Sequence, residues 1–239
     1  MNHNTRRVNT FIGAMVVAAL GSGTYVGLAS HALHPYYTLG VLALAAATSR
    51  IKVKLPGIDG NMSVNLPFLL TAAVSLSAVE AVFIACASTM VQCWPKRDAK
   101  FKPAQMLFNV SMMGFASSMA TIMAHAQWSS GPLLLALATA TLFLGQTGSV
   151  AAIVTLSQGG SIPQAWWNIA QLSFPYYVVS AGVTSMMQSV SHSMGWAVAL
   201  AVFPVMYGIH RSYRLYFGRV TTEAAPRVVA LARAAGAGA

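Results

Sequence analysis

Acidic side chains are nearly missing from this sequence, with four Asp and Glu among 239 residues. So few carboxylates exclude paired-carboxylate catalysis, EF-hand calcium sites and magnesium-dependent phosphoryl transfer, each of which gathers several oxygens at one place. Charge of either sign is thin as well, at 8% of residues against about 25% in soluble domains. A surface so poor in charge is not mostly wetted, which argues against an ordinary cytosolic enzyme. Cysteine is limited to Cys86 and Cys93. On one helix they share a face about 10 Å apart along the axis, too far for a disulfide, and they read as packing residues. No nucleophilic Ser/His/Asp set, P-loop or H-E-x-x-H pattern occurs, and Gly159-Gly160 reads as a plain loop. The expectation is a protein without catalytic residues, cofactor or metal.

Apolar sequence is what the chain has in quantity: 56% of residues are hydrophobic and the mean hydropathy is +0.61. A helix crossing about 30 Å of hydrocarbon needs about 20 such residues, fewer where it is short or broken. Apolar runs lie near 10–32, 36–49, 64–77, 79–94, 105–126, 132–156, 164–188 and 194–213. The second, third and fourth are short, so the expected number of spans is about eight, within a range of six to eight. Arg6 and Arg7 precede the first run as in a signal peptide, but no clear cleavage signal follows, and the run reads as a retained span.

The 14 Lys and Arg give a net charge of +10. They are bunched in connections between apolar runs, whereas a nucleic-acid binder would spread them along a face. The clusters are Arg6/Arg7, Arg50/Lys52/Lys54, Lys96/Arg97/Lys100/Lys102 and Arg211/Arg214/Arg219 with Arg227/Arg233. Eight crossings with both termini cytoplasmic place every cluster on the inner side, as the positive-inside rule requires. The turns at 33–35, around Ser77, at 127–131 and at 189–193 carry no Lys or Arg and face outward. Joining 64–94 into one span would move the 96–102 cluster outside, so a hairpin is expected between the third and fourth runs. The predicted architecture is an all-α polytopic transmembrane helix bundle over 1–220, lying in the lipid bilayer, with a short flexible cytoplasmic tail at 221–239.

Pro35, Pro95, Pro103, Pro132 and Pro163 fall at helix starts or loops, where a missing N–H costs little. Pro175 and Pro204 fall inside spans and should kink them. Between Arg50 and Leu66, Ile51, Val53 and Leu55 alternate with Lys52 and Lys54 before breaking at Pro56-Gly57 and Gly60. That pattern predicts a short strand and turn on the cytoplasmic surface that re-enters the membrane.

Polar side chains within spans are costly in lipid and therefore informative. Asn109, Gln146, Asn168, Gln171 and Gln188 qualify, with Ser63 and Asn65 at the start of the third run. Such groups either hydrogen-bond between helices, worth about 0.6–2 kcal/mol per contact, or line a ligand cavity. Asn168 and Gln171 share a helical face just before Pro175. Ser63, Asn65, Asn109, Gln146, Asn168 and Gln171 form the candidate ligand-binding set. Glu80 is the one acid near a span; with Ser77 it has capping-box spacing, and a water-near cap is favoured over ion coupling. His31, His34, His125 and His192 map to outward-facing ends and read as interfacial residues, not as a metal site. Trp94, Trp128, Trp166, Trp167 and Trp196 lie near span ends, as in an aromatic belt.

Several stretches also carry a resemblance. RIKVKLPGIDGNMSVNLPF at 50–68 with LSAVEAVFIACAS at 76–88, LFNVSMMGFAS at 107–117, and QTGSVAAIVTLSQGGSIPQAWWNIAQLSFPYYVVSAGV at 146–183 resemble the multi-span N-terminal membrane module of bacterial signalling proteins with HD-GYP or GGDEF output domains. YGIHRSYRLYFGRV at 207–220 is similar to the exit segment of that module. The resemblance implies a sensory or ligand-binding module in a bacterial inner membrane that relays a signal through its last span to a cytoplasmic signalling partner. A weaker likeness is to the substrate-binding components of energy-coupling-factor vitamin transporters, which implies a small-solute transport component with an energising partner. After Val220 no HD or GGDEF sequence follows, so output chemistry is not attributed to this chain. It would be a stand-alone relative, a piece of a longer protein, or one half of a pair. A third expectation is a scaffold whose polar residues only pack helices.

Overall fold

The computed structural model describes residues 3–29, 33–54, 61–95, 101–126 and 131–194, with isolated positions at 208 and 211–212. Within them the chain forms α1 (His3–Ala29), α2 (Pro35–Ser49), β1 (Lys52–Lys54), β2 (Asn61–Ser63), α3 (Leu66–Ser75), α4 (Ala78–Cys93), α5 (Pro103–Ala124), α6 (Gly131–Gln158) and α7 (Ile162–Met194). The fold is thus helical, with one antiparallel hairpin pairing Lys52 with Ser63, Val53 with Met62 and Lys54 with Asn61. Most of the run at 194–213, the tail at 221–239, Pro204, Trp128 and Trp196 lie outside the described residues; at 189–193, where a turn is expected, α7 continues as helix to Met194.

Local chemistry explains the boundaries. Pro35 and Pro103 open α2 and α5, where proline's fixed φ suits the first turn and no N–H is needed. Ser77 and Glu80 start α4 as a capping box. Past α6, Gly159 and Gly160 adopt φ of +83° and +107°, a region that side chains disfavour, and the chain reverses into α7. Pro175 sits inside α7.

Three helices, α1, α5 and α6, are long and apolar enough to cross a bilayer, and the chain is a membrane protein by that measure. Large apolar side chains point outward on most of the helices. Val17, Leu28, Tyr36, Leu39, Phe83 and Met186 are all more than half exposed. Water would penalise so continuous an apolar exterior, whereas lipid does not.

The helices pack so that the shortest is the innermost. α3 is buried from Leu66 to Ala73 and contacts α2, α4, α5, α6 and α7. Around it, α5 lies against α1, α4 and α6, and α6 against α7. α5 and α6 approach closely at Gly145, where a Cβ would stand 3.0 Å from that of Ala116. The expected break between the third and fourth runs is present at Leu76–Ser77. Asn65, before that break, reaches Ser88 beyond it, so α3 and α4 form an antiparallel hairpin.

Contacts also define the two ends of the bundle. Phe11 of α1 stacks near Phe108 of α5 at 6.1 Å, and Asn109 meets Cys93 at the close of α4. The starts of α1 and α5 and the end of α4 therefore share one end. The opposite end holds the starts of α2 and α4, joined through Glu80. Among the described residues as far as Lys102, every Lys and Arg belongs to the first end.

Candidate functional site

The centre of the molecule contains a buried helix start. Val64, Asn65 and Leu66 are all buried, although the first N–H groups of any helix lack intrahelical partners. Here the Leu66 N–H donates to the Tyr176 hydroxyl at 3.2 Å, across 110 residues of sequence. Pro67 has no N–H to satisfy. The N–H groups of Phe68 and Leu69 both donate to the Asn65 carbonyl, at 3.1 and 3.2 Å. Proline at the second position and a tyrosine from α7 thus let α3 begin inside the bundle at little cost.

Its depth follows from the neighbours. The Asn65 side-chain amide donates to the Ser88 hydroxyl at 3.5 Å. Ser88 lies about 16 Å along α4 from Ser77 and about 8 Å from Cys93 at 1.5 Å rise per residue. α3 itself is about 15 Å long, roughly half the hydrocarbon thickness. Thr184 of α7 donates to the Pro67 carbonyl at 3.2 Å, and Thr71 donates to the Met187 sulfur at 3.7 Å. The first turns of α3 are therefore read by a single face of α7, formed by Tyr176, Ser180, Thr184 and Met187. Ser180 is fully buried, and its hydroxyl has no hydrogen-bond partner.

A second polar group adjoins the first through neighbouring tyrosines, whose rings lie 6.3 Å apart. The Tyr177 hydroxyl donates to the Gln146 amide oxygen at 2.5 Å, and the Gln146 amide nitrogen points at the Met113 sulfur. Phe143 packs edge-on against Tyr177 at 5.0 Å and against Phe174 at 5.9 Å. Trp166 donates to Thr147 at 3.0 Å. Met113 and Gln146 stand near the middle of α5 and α6, so the two groups make a polar layer across the interior. A Tyr177→Phe, Gln146→Ala double-mutant cycle measured by denaturant unfolding should give a coupling of about 0.6–1.7 kcal/mol, the range for hydrogen bonds between membrane helices.

The six residues singled out from sequence are not all brought together. Asn65 and Gln146 belong to this layer. Asn109 is half-buried nearer the end of the bundle, where its amide donates to the Cys93 sulfur at 3.3 Å. Asn168 and Gln171 share a face, as their spacing requires, but both are exposed on the outside of α7. Ser63 closes β2 opposite Lys52, and its side chain lies outside the described residues. Sequence reasoning missed Tyr176, Tyr177, Ser88 and Thr184. A usable signal was the Tyr-Tyr pair immediately after Pro175, since a phenol inside a kinked span needs a polar partner.

Glu80 departs from the expectation of a cap near water: it is only 5% exposed. Its Oε2 accepts from the Ser77 N–H and hydroxyl, at 3.1 and 2.7 Å. Its Oε1 accepts from the Thr38 hydroxyl at 2.6 Å and from the His34 N–H. The capping role is thus accompanied by a bridge, in which one carboxylate serves the starts of α2 and α4 and its charge meets the positive ends of both. Trp94 and Trp167 are exposed near helix ends, as a belt requires. His31 and the side chain of His192 lie outside the described residues.

No known protein family, no curated protein and no solved structure matches this chain.

Proposed function

We propose that this protein is a non-enzymatic, multi-pass membrane module that binds a small ligand at the interior start of α3 and relays occupancy along α7 to a cytoplasmic partner. The carrying observation is the placement of that start, buried inside the bundle about 8 Å short of the close of α4, with Asn65, Ser88 and Tyr176 converging on it. A helix needs no such interior beginning merely to cross lipid. The same face of α7 touches both Leu66 and Pro67, so anything that displaces the first turn of α3 acts on α7. A ligand shifts such a bundle only by differential affinity for two arrangements. The basic clusters support an orientation with the Lys- and Arg-bearing end, and both termini, at the cytoplasmic leaflet of a bacterial inner membrane across eight spans. Arg211, Arg214 and Arg219 would then anchor the relay end at anionic lipid.

The test uses the full chain in mild detergent, exposed to a small-molecule extract of cells and examined by native mass spectrometry. Retention of a discrete compound, reduced by Asn65→Ala, is expected. Retention of nothing, together with no stimulus response from a chimera carrying an output domain, overturns the proposal.

The transport reading has its own support in the shortness of α3, because discontinuous helices also form solute sites in carriers. Accumulation of the retained compound inside proteoliposomes would favour transport. Binding without accumulation would favour sensing.

A further inference from the structure

We infer that the outer face of α7 is an interface with a second copy of this chain, the two α7 helices packing parallel and side by side around Asn168 and Gln171. Such a contact requires no ligand; it rests on the multi-pass arrangement in lipid proposed above.

Two faces of α7 differ in kind. The inner one, through Ile169, Ser173, Tyr176, Ser180 and Thr184, is buried in the bundle. The outer one carries a seam of exposed residues, Gln164, Asn168, Gln171, Val178, Gly182 and Ser185, with Pro175 completing an alternation of steps of four and three. That alternation is the heptad spacing by which one helix meets another, and it puts Asn168 at a core position of the seam. Trp167, Phe174, Val179 and Met186 are exposed along its edges.

Lipid does not account for this distribution. Elsewhere the exterior is large and apolar, as at Val17, Leu20, Leu28 and Phe83. Here two amides are exposed, which is costly against hydrocarbon. α7 lies along α6, yet it is not among the helices apolar enough to cross a bilayer unaided. At Gly182 a Cβ would meet nothing within 4 Å, so no described part of the chain covers the seam there. Small residues such as Gly182 and Ser185 let membrane helices approach closely, and amides hydrogen-bond between them.

A second copy fits this face because the face is complementary to itself. Copies inserted the same way up meet about a two-fold axis normal to the membrane, each residue near its counterpart. An amide both donates and accepts, so Asn168 can pair with Asn168 and Gln171 with Gln171. No Lys, Arg, Asp or Glu occurs from Gln164 to Ser189, so no like charges meet across the axis. The apolar run after α7 has no side-chain donor or acceptor from Ala197 to Met206 with which to answer the amides. Tyr176 and Thr184 hold the first turn of α3 from the inner face, so α3 and the second copy would bear on opposite sides of one helix.

Single thiols in the full chain test the contact in native membranes, after Cys86 and Cys93 have been replaced by alanine. With copper phenanthroline as oxidant, Gly182→Cys and Ser185→Cys should form disulfide-linked dimers, whereas Val17→Cys and Phe83→Cys, exposed on α1 and α4, should not. Asn168→Leu combined with Gln171→Leu should weaken dimerisation in lipid about tenfold or more. Unfolding of the monomer in detergent should match the parent, since both residues are exposed. Cross-linking no greater at 182 and 185 than at 17 and 83, or undiminished dimerisation of the double variant, overturns the interface. A disulfide within one chain between Gly182→Cys and Ala201→Cys, in place of the intermolecular one, gives the face to the following run and overturns it too. If an impermeant maleimide modifies Val178→Cys in opened membranes, the face lies in water, and both the span and the interface fall. Protection at 178 without cross-links overturns the interface alone.

Discussion

Glu80→Ala should lower the stability of the folded chain by about 3 kcal/mol or more, measured by denaturant unfolding in mixed micelles. The carboxylate accepts two hydrogen bonds from Ser77 of its own cap and one each from His34 and Thr38 at the start of α2. Alanine leaves those donors facing each other in a site that is only 5% exposed. Each stranded donor costs about 1–3 kcal/mol, less whatever water enters to replace the lost acceptor. Glu80→Gln retains one acceptor oxygen but turns an amide towards donors, so about half the loss is expected. Thr38→Val, which deletes one donor and its need together, should cost about 1 kcal/mol. A Glu80→Ala change within about 0.5 kcal/mol of the parent would show that the bridge between α2 and α4 is not formed.

The second large effect distinguishes the centre of the bundle from its exterior. Phe68 on α3 is fully buried, whereas Phe83 on α4 is 54% exposed. Phe68→Ala leaves a cavity at the point where α3 meets its neighbours and should cost about 3–5 kcal/mol. In lipid, Phe83→Ala exchanges one apolar surface for another and should remain within about 0.5 kcal/mol. Side-by-side unfolding curves of the two variants test whether α3 is the core. Equal losses would place α3 elsewhere in the packing.

Much of this architecture could be read in the sequence because lipid imposes few options. A backbone in hydrocarbon must satisfy its own hydrogen bonds, so runs such as 105–126 and 132–156 become α5 and α6 with boundaries set by Pro103, Gly131 and Gly159. The alternation of Ile51 and Val53 with lysines, broken by Pro56-Gly57, marked the strand that became β1, whereas its partner β2 at Asn61–Ser63 carried no such pattern. The third run was harder to delimit. Its apolar residues continue from Val64, yet Pro67 fixes the start of α3 at Leu66 and leaves it ten residues long.

The candidate site was legible only in part, for a geometric reason. Hydropathy shows that Asn65 and Gln146 are polar in apolar surroundings, but the contacts that give them meaning join distant segments. Tyr176 reaches Leu66 across 110 residues, and Thr184 reaches Pro67 across 117. No local pattern encodes such pairs. Asn168 and Gln171 illustrate the same limit: their spacing fixed a shared face of α7 but not the direction in which that face points. Glu80 shows it once more, because Ser77-x-x-Glu80 revealed the cap while Thr38 and His34 entered only through folding.

The central claim is that lipid surrounds this bundle and that its basic connections share the cytoplasmic side. Single thiols at two exposed positions test it, Tyr36→Cys at the start of α2 and Phe101→Cys before α5, after Cys86 and Cys93 have been replaced by alanine. An impermeant maleimide applied to intact cells should modify the thiol at position 36 and spare the one at 101 until the cells are opened. Modification at 101 from outside, or equal modification of both before opening, would contradict the account.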